Sequence, residues 1–116
     1  MPVTEDYHVH VYFEPESRAI AEQVIKELSG SFDVDVGSYH DRPVGPHPTG
    51  SCQVTVALNN FGAVIDWLAK NRKGLTIFTH ANTQDVMLDH SEHTIWMGKM
   101  MELDLELLQR LVSKHS

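Results

Sequence analysis

The chain has 116 residues and one cysteine, Cys52. No internal disulfide can form, a thiolate metal cluster is excluded, and nothing points to secretion. Basic residues are scarce: nine Lys and Arg stand against 16 Asp and Glu, a formal net charge of −7. A nucleic-acid surface needs concentrated positive charge to displace counterions, and an anionic membrane surface needs the same, so neither partner is expected. No apolar run approaches the roughly 20 residues of a membrane helix. The opening "MPVTEDYHVH" lacks the basic and apolar regions of a signal peptide, and the cytoplasm is the expected location. There is no G-x-S-x-G for serine nucleophilic catalysis and no Gly-Lys-Ser/Thr phosphate loop. The length suits one domain, 1–116, with one core.

What is present is histidine. There are eight, none in a tag-like run: His8, His10, His40, His47, His80, His90, His93 and His115. Imidazole is both a common metal ligand and an acid/base group near neutral pH. His115, in the terminal "SKHS", and His40 read as plain surface residues.

"YHVHVYF" (7–13) alternates: Val9, Val11 and Phe13 form one face of a strand, and His8, His10 and Tyr12 the other. A helix is expected from about 15 to 29, with Pro15 in its first turn, an apolar stripe of Ile20, Ala21, Val24, Ile25 and Leu28, and Gly30 as its stop. "FDVDVGSY" (32–39) reads as a second strand. "HDRPVGPHPTG" (40–50) carries three prolines and two glycines and must be irregular. A third strand spans 52–58, with Cys52, Val54, Val56 and Leu58 on its apolar side, so Cys52 reads as a packing residue. "NNFGAVIDWLAKNRKG" (59–74) predicts a second helix capped by Asn59 or Asn60. "LTIFTH" (75–80) is a fourth strand, 81–93 mostly loop, "TIWMGKM" (94–100) a short fifth strand, and "DLELLQRLVSK" (104–114) a helix capped by Asp104.

The order β-α-β-β-α-β plus additions predicts an α+β, ferredoxin-like split βαβ sandwich, an antiparallel sheet with helices on one face. The other face is left for a partner copy, loops or a ligand pocket. Leu75 and Ile77 face the helices, so Thr76, Phe78 and His80 share a side with His8 and His10. The fourth strand runs antiparallel beside the first, which brings His80 near His8. The third strand is expected parallel to the first, with the loop carrying His47 arriving at that same end. His90 and His93 are three apart, with Asp89 beside them to orient an imidazole.

Neutral imidazole binds Zn²⁺, Fe²⁺, Cu²⁺ and Ni²⁺, and two or three protein ligands with open positions make a catalytic site rather than a structural one. Asp89, Glu102 and Asp104 are the carboxylates considered for such a shell; a three-histidine site is equally open.

"YHVHVYF", "RPVGPHPTGSCQV", "VIDWLAKNRKGLTIFTHANTQD" and "DHSEHTIWMG" together resemble the DOPA 4,5-dioxygenase family of fungi and its bacterial relatives, in the same order, over about residues 7 to 104. "THANT" departs from the resemblance, where a proline is expected after the histidine. The resemblance implies a small α+β protein, often a homodimer, that opens a catechol ring beside its two hydroxyls with O₂. The matching positions are His8, His10, His47, His80, His90, His93 and Trp96. On this reading His8, His10 and His80 hold Fe(II), which zinc could replace in a purified sample. His47, His93 and His90 serve the chemistry, and Tyr12, Phe78 and Trp96 wall the substrate pocket. A substrate carboxylate would look to Arg42, Arg72 or Lys73. The competing reading is a dimeric protein that binds a metal or small molecule without catalysis.

Overall fold

The computed structural model describes residues 3–114, and His115 lies outside them. Five strands form one sheet: β1 (Asp6–Phe13), β2 (Asp35–His40), β3 (Gly50–Ala57), β4 (Ile77–Asn82) and β5 (Thr94–Met97). Their order is β2-β3-β1-β4-β5, with every neighbouring pair antiparallel. This is the expected split βαβ arrangement with a fifth strand added at one edge. No helix among the described residues is long and apolar enough to cross a membrane.

The expected direction of β3 fails. β3 runs antiparallel to β1, with Tyr12 opposite Ser51 and Phe13 opposite Gly50. In a split βαβ unit the parallel pair is β1 and β2, and β3 is inserted between them. The loop that leads into β3 therefore arrives at the Tyr12 end of β1, not at the His8 end. Gly50 is required at this crossing: a Cβ there would fall 2.8 Å from the Phe13 ring and 2.9 Å from its carbonyl oxygen.

The helices are α1 (Arg18–Ser31), α2 (Leu58–Asn71), α3 (Val86–Asp89) and α4 (Leu105–Lys114). Pro15–Ser17 form a separate 3-10 turn, so α1 starts later than the proline suggested, and it runs on through Gly30. A lone glycine lowers helix propensity by only about 1 kcal/mol, which the packed face of α1 overrides. Neither Asn59 nor Asn60 caps α2. Its N-cap is Ala57, and Asn60 Nδ2 donates to the Asp33 carbonyl instead. Leu58 and Ile20, both expected on buried stripes, are exposed. Asp104 does cap α4, accepting from Leu107 N–H at 3.0 Å.

Val9, Val11 and Phe13 of β1 pack with Cys52, Val54 and Val56 of β3 and Leu75 and Ile77 at β4. Over them lie Ala21, Val24, Ile25 and Leu28 of α1 and Val64 and Leu68 of α2. Each fully buried aliphatic side chain stabilises by roughly 1.5–3 kcal/mol, and this layer fixes which way every strand faces. Cys52 sits fully inside it, and burial pushes its thiol up to about 11, as a packing role requires. The strand pleat then forces His8, His10, Tyr12, Phe78 and His80 to the other side. That side is not bare. His47, His90 and Trp96 lie over it, brought by the loop before β3, the turn after α3, and β5. Asp104 N–H donates to the Pro46 carbonyl at 2.8 Å, tying the segment before α4 to that loop.

Candidate metal centre

His8 and His80 are direct cross-strand partners, and His10 lies opposite Phe78. Two adjacent strands thereby place three imidazoles side by side. The ligand atoms of His8, His10 and His80 all lie within 4.8 Å of one another. His10 Nε2 and His80 Nε2 are 3.0 Å apart. His10 and His80 are buried, and His8 is partly open to solvent.

The hydrogen bonds fix tautomers. His80 Nδ1–H donates to the Ala81 carbonyl at 2.8 Å, so in the neutral ring the lone pair is on Nε2, the atom that faces His10. His90 Nδ1–H donates to the Val86 carbonyl at 2.8 Å, again leaving the Nε2 lone pair free. The His90 ring stacks beside His80 at 4.1 Å between centroids. On the other flank His47 lies 4.2 Å from His10, and its Nδ1 is hydrogen-bonded to the Tyr12 hydroxyl at 2.8 Å. His47 thus reaches the cluster from the Tyr12 end.

Electrostatics keeps these rings neutral. Burial lowers His10 well below its usual value, and His47, His80, His8 and His90 lower it further. His47 is pushed down to about 4 by burial and then by His90 and His40. His80 is pushed down to about 3, again mainly by burial with His90 adding to it. His8 and His90 are also lowered, first by burial. Burial raises the Tyr12 phenol, which keeps its proton. A set of crowded neutral imidazoles, with the His80 Nε2 lone pair facing His10, suits a cation. At a metal–nitrogen distance of about 2.0–2.1 Å, two ligands at right angles have nitrogens about 3 Å apart, as His10 and His80 do. The residues present fit a divalent metal ion, and His8, His10 and His80 could hold it.

The other expected residues divide. Phe78 is fully buried and forms the floor, in ring contact with His10, His47, His80, His90 and Trp96. Trp96 is partly exposed and stands edge-on to Tyr12. His93 is not brought into the ring cluster. Its Nδ1–H donates to Asp89 at 2.9 Å, and the ring lines a separate cavity of about 540 Å³ with Tyr7, Ala81 and Ile95. Asp89 therefore orients an imidazole as expected, that of His93. Glu102 and Asp104 lie outside the set that could hold a metal, and Asp104 serves as a helix cap. His40 is exposed.

Asp6 was missed from the sequence. Its Oδ1 lies 3.5 Å from His8 Nε2. The signal was available: Asp6 is two residues before His8, on the same face as His10 and Tyr12. Thr83, which bonds Asp89 through both N–H and hydroxyl, carried no sequence signal.

An uncharacterised 21.2 kDa protein of Botryotinia fuckeliana is 32% identical, the match covering 90% of this chain and 64% of that protein. DOPA 4,5-dioxygenase of Amanita muscaria is 31% identical, over 87% of this chain and 48% of its own length. The chain thus spans about half to two-thirds of these relatives. A crystal structure from Nostoc punctiforme, of a protein with a provisional dioxygenase assignment, superposes with a TM-score of 0.91. It shares 40% identity and covers 93% of this chain and 94% of its own. Residues 7–107 match the sequence pattern of the Dopa 4,5-dioxygenase family, and the chain belongs to that family.

Proposed function

We propose that this protein is a non-haem, ferrous-iron extradiol dioxygenase that opens the ring of a catechol such as DOPA. The observation that carries the reading is the trio of His8, His10 and His80, crowded, neutral and able to hold a metal, in a chain of a dioxygenase family. A ferrous ion held by the trio would supply the redox and Lewis-acid chemistry that O₂ and the diol require.

The chain's own residues have the remaining tasks. His90 is the proton acceptor for a catechol hydroxyl, because its Val86 bond directs a lone pair on Nε2 away from the backbone. His47, held by Tyr12, flanks the opposite side of His10 and fixes an oxygen of the substrate or product. Trp96 and Tyr12 wall the ring, and Phe78 supports both from below. The buried rings exclude water from the reacting atoms. His93, tied to Asp89, takes no part in proton transfer on this reading.

The Amanita relative's name suggests DOPA itself, whose carboxylate needs a cationic partner. Among the cations offered by the sequence, Lys73 lines a cavity of about 350 Å³ that includes Tyr12, where Lys99 joins it. Homodimerisation belongs to the same reading through α4, whose Leu111 is exposed while Leu108 is buried; light scattering at twice the 13.1 kDa chain mass is the expected result.

The test is oxygen uptake. Protein loaded anaerobically with Fe(II) and given L-DOPA should consume one O₂ per catechol on exposure to air and yield a yellow semialdehyde. Bound iron with no uptake beyond that of free Fe(II) would instead favour a non-catalytic binding protein.

A further inference from the structure

We propose that Asp89 is a positioning residue for this site: its carboxylate clamps the 83–93 turn, which holds the His90 imidazole against His80, and it supplies the buried negative charge that an all-histidine metal shell lacks. The inference rests on the reading of the histidine cluster as a metal centre.

Asp89 is 2% exposed, although it is a carboxylate in a short turn. A buried charge is costly unless its oxygens are satisfied. Here both are. Oδ2 accepts from Thr83 N–H at 2.7 Å, Oδ1 accepts from the Thr83 hydroxyl at 2.8 Å, and Oδ1 also accepts from His93 Nδ1–H at 2.9 Å. Burial pushes the carboxyl up, but the bonds from His93 and Thr83 outweigh it and the group ends below its ordinary value.

The clamp closes a turn that cannot stand alone. α3 is a single turn of four residues, far below the length at which a helix is stable by itself. Thr83 also accepts from Asp85 N–H, and Asp85 caps α3 by accepting from Leu88 N–H. At the other end Leu88 O accepts from Glu92 and His93 N–H. The carboxylate ties Thr83, before the turn, to His93, after it. His90 follows Asp89 in the chain, and its ring lies against those of His80 and Phe78.

The charge reaches the site as well. Asp89 is buried, and the next residue in the chain, His90, has its ring centroid 4.1 Å from that of His80. A divalent ion held by neutral imidazoles would keep its full charge, and a fixed buried carboxylate on the turn that carries His90 would offset part of it.

The experiment uses the full chain and Zn²⁺ as the probe. Zinc affinity is measured by competition with a chromophoric chelator, and the imidazole ¹⁵N resonances are recorded on metal-free protein. Asp89→Asn keeps the size and an acceptor oxygen for Thr83 but removes the charge. It is expected to weaken Zn²⁺ binding about 10–100-fold and to move the His90 ring resonances. Thr83→Val keeps the charge and cuts one anchor. It is expected to move the same resonances with a smaller loss of affinity, and it decides the matter where Asp89→Asn does not fold. Unchanged zinc affinity in folded Asp89→Asn, or His90 resonances unmoved in both variants, overturns the proposal. A purely structural Asp89 would lower the thermal midpoint and leave both of those readouts in place. Wild-type protein that binds zinc in this Asp89-dependent way yet never opens a catechol would contradict the dioxygenase reading and leave this one standing.

Discussion

His10 Nε2 and His80 Nε2 face each other at 3.0 Å across the β1–β4 pair. His80 Nδ1–H donates to the Ala81 carbonyl, so at least one of the two facing atoms is a bare lone pair. On the proposed reading, removing either ring removes a ligand and not a mere neighbour. His10→Ala and His80→Ala should each reduce iron or zinc affinity by more than the about 10–100-fold typical of residues just outside a metal shell. Elemental analysis of protein purified after metal loading checks this; full metal content in both variants would contradict it.

The depressed imidazoles make the metal-free protein sensitive to acid. His47 and His80 have folded values of about 4 and about 3, against about 6.5 when unfolded. Between these limits the unfolded chain binds protons that the folded chain does not, so unfolding gains as pH falls. Stability from these groups is intact above about pH 6.5 and is lost progressively down to about pH 3. Thermal midpoints of chelator-treated protein should fall over that window; a flat or rising profile would contradict the neutral cluster.

Tyr12 and His47 share one hydrogen bond in a buried setting. Tyr12→Phe leaves His47 Nδ1 without that partner, and a buried polar group so stranded costs about 1–3 kcal/mol. Urea denaturation should show the loss. A variant as stable as wild type would mean that water replaces the phenol.

Phe78 is fully buried and touches the rings on both flanks of the site. Phe78→Ala should cost about 3–5 kcal/mol in stability, as large-to-small core changes do. A loss under about 1 kcal/mol, measured by urea denaturation, would show that the floor collapses to fill the space.

Much of this site was legible because a strand has a period of two. Val9, Val11 and Phe13 declare the core side of β1, so His8 and His10 must point away, and Leu75 with Ile77 place His80 in the same manner. Antiparallel pairing of β4 with β1 then brings His80 opposite His8. The approach of His47 was misread, because strand direction follows from how the split βαβ unit closes and not from the loop itself. Asp6 obeys the same two-residue period and was overlooked because it is not an imidazole. His90 and His93 share a spacing of three but diverge in space. Their separation is set by the bonds of Asp89 to Thr83 and His93, a local side-chain pairing within one turn that no periodicity encodes.

The most direct measurement is anomalous diffraction at the iron edge from crystals loaded anaerobically with Fe(II). The account predicts one strong peak bounded by the imidazoles of His8, His10 and His80, with His47 and His90 flanking it and protein absent from at least two positions around the ion. A peak elsewhere, or none with those three rings turned apart, would contradict it.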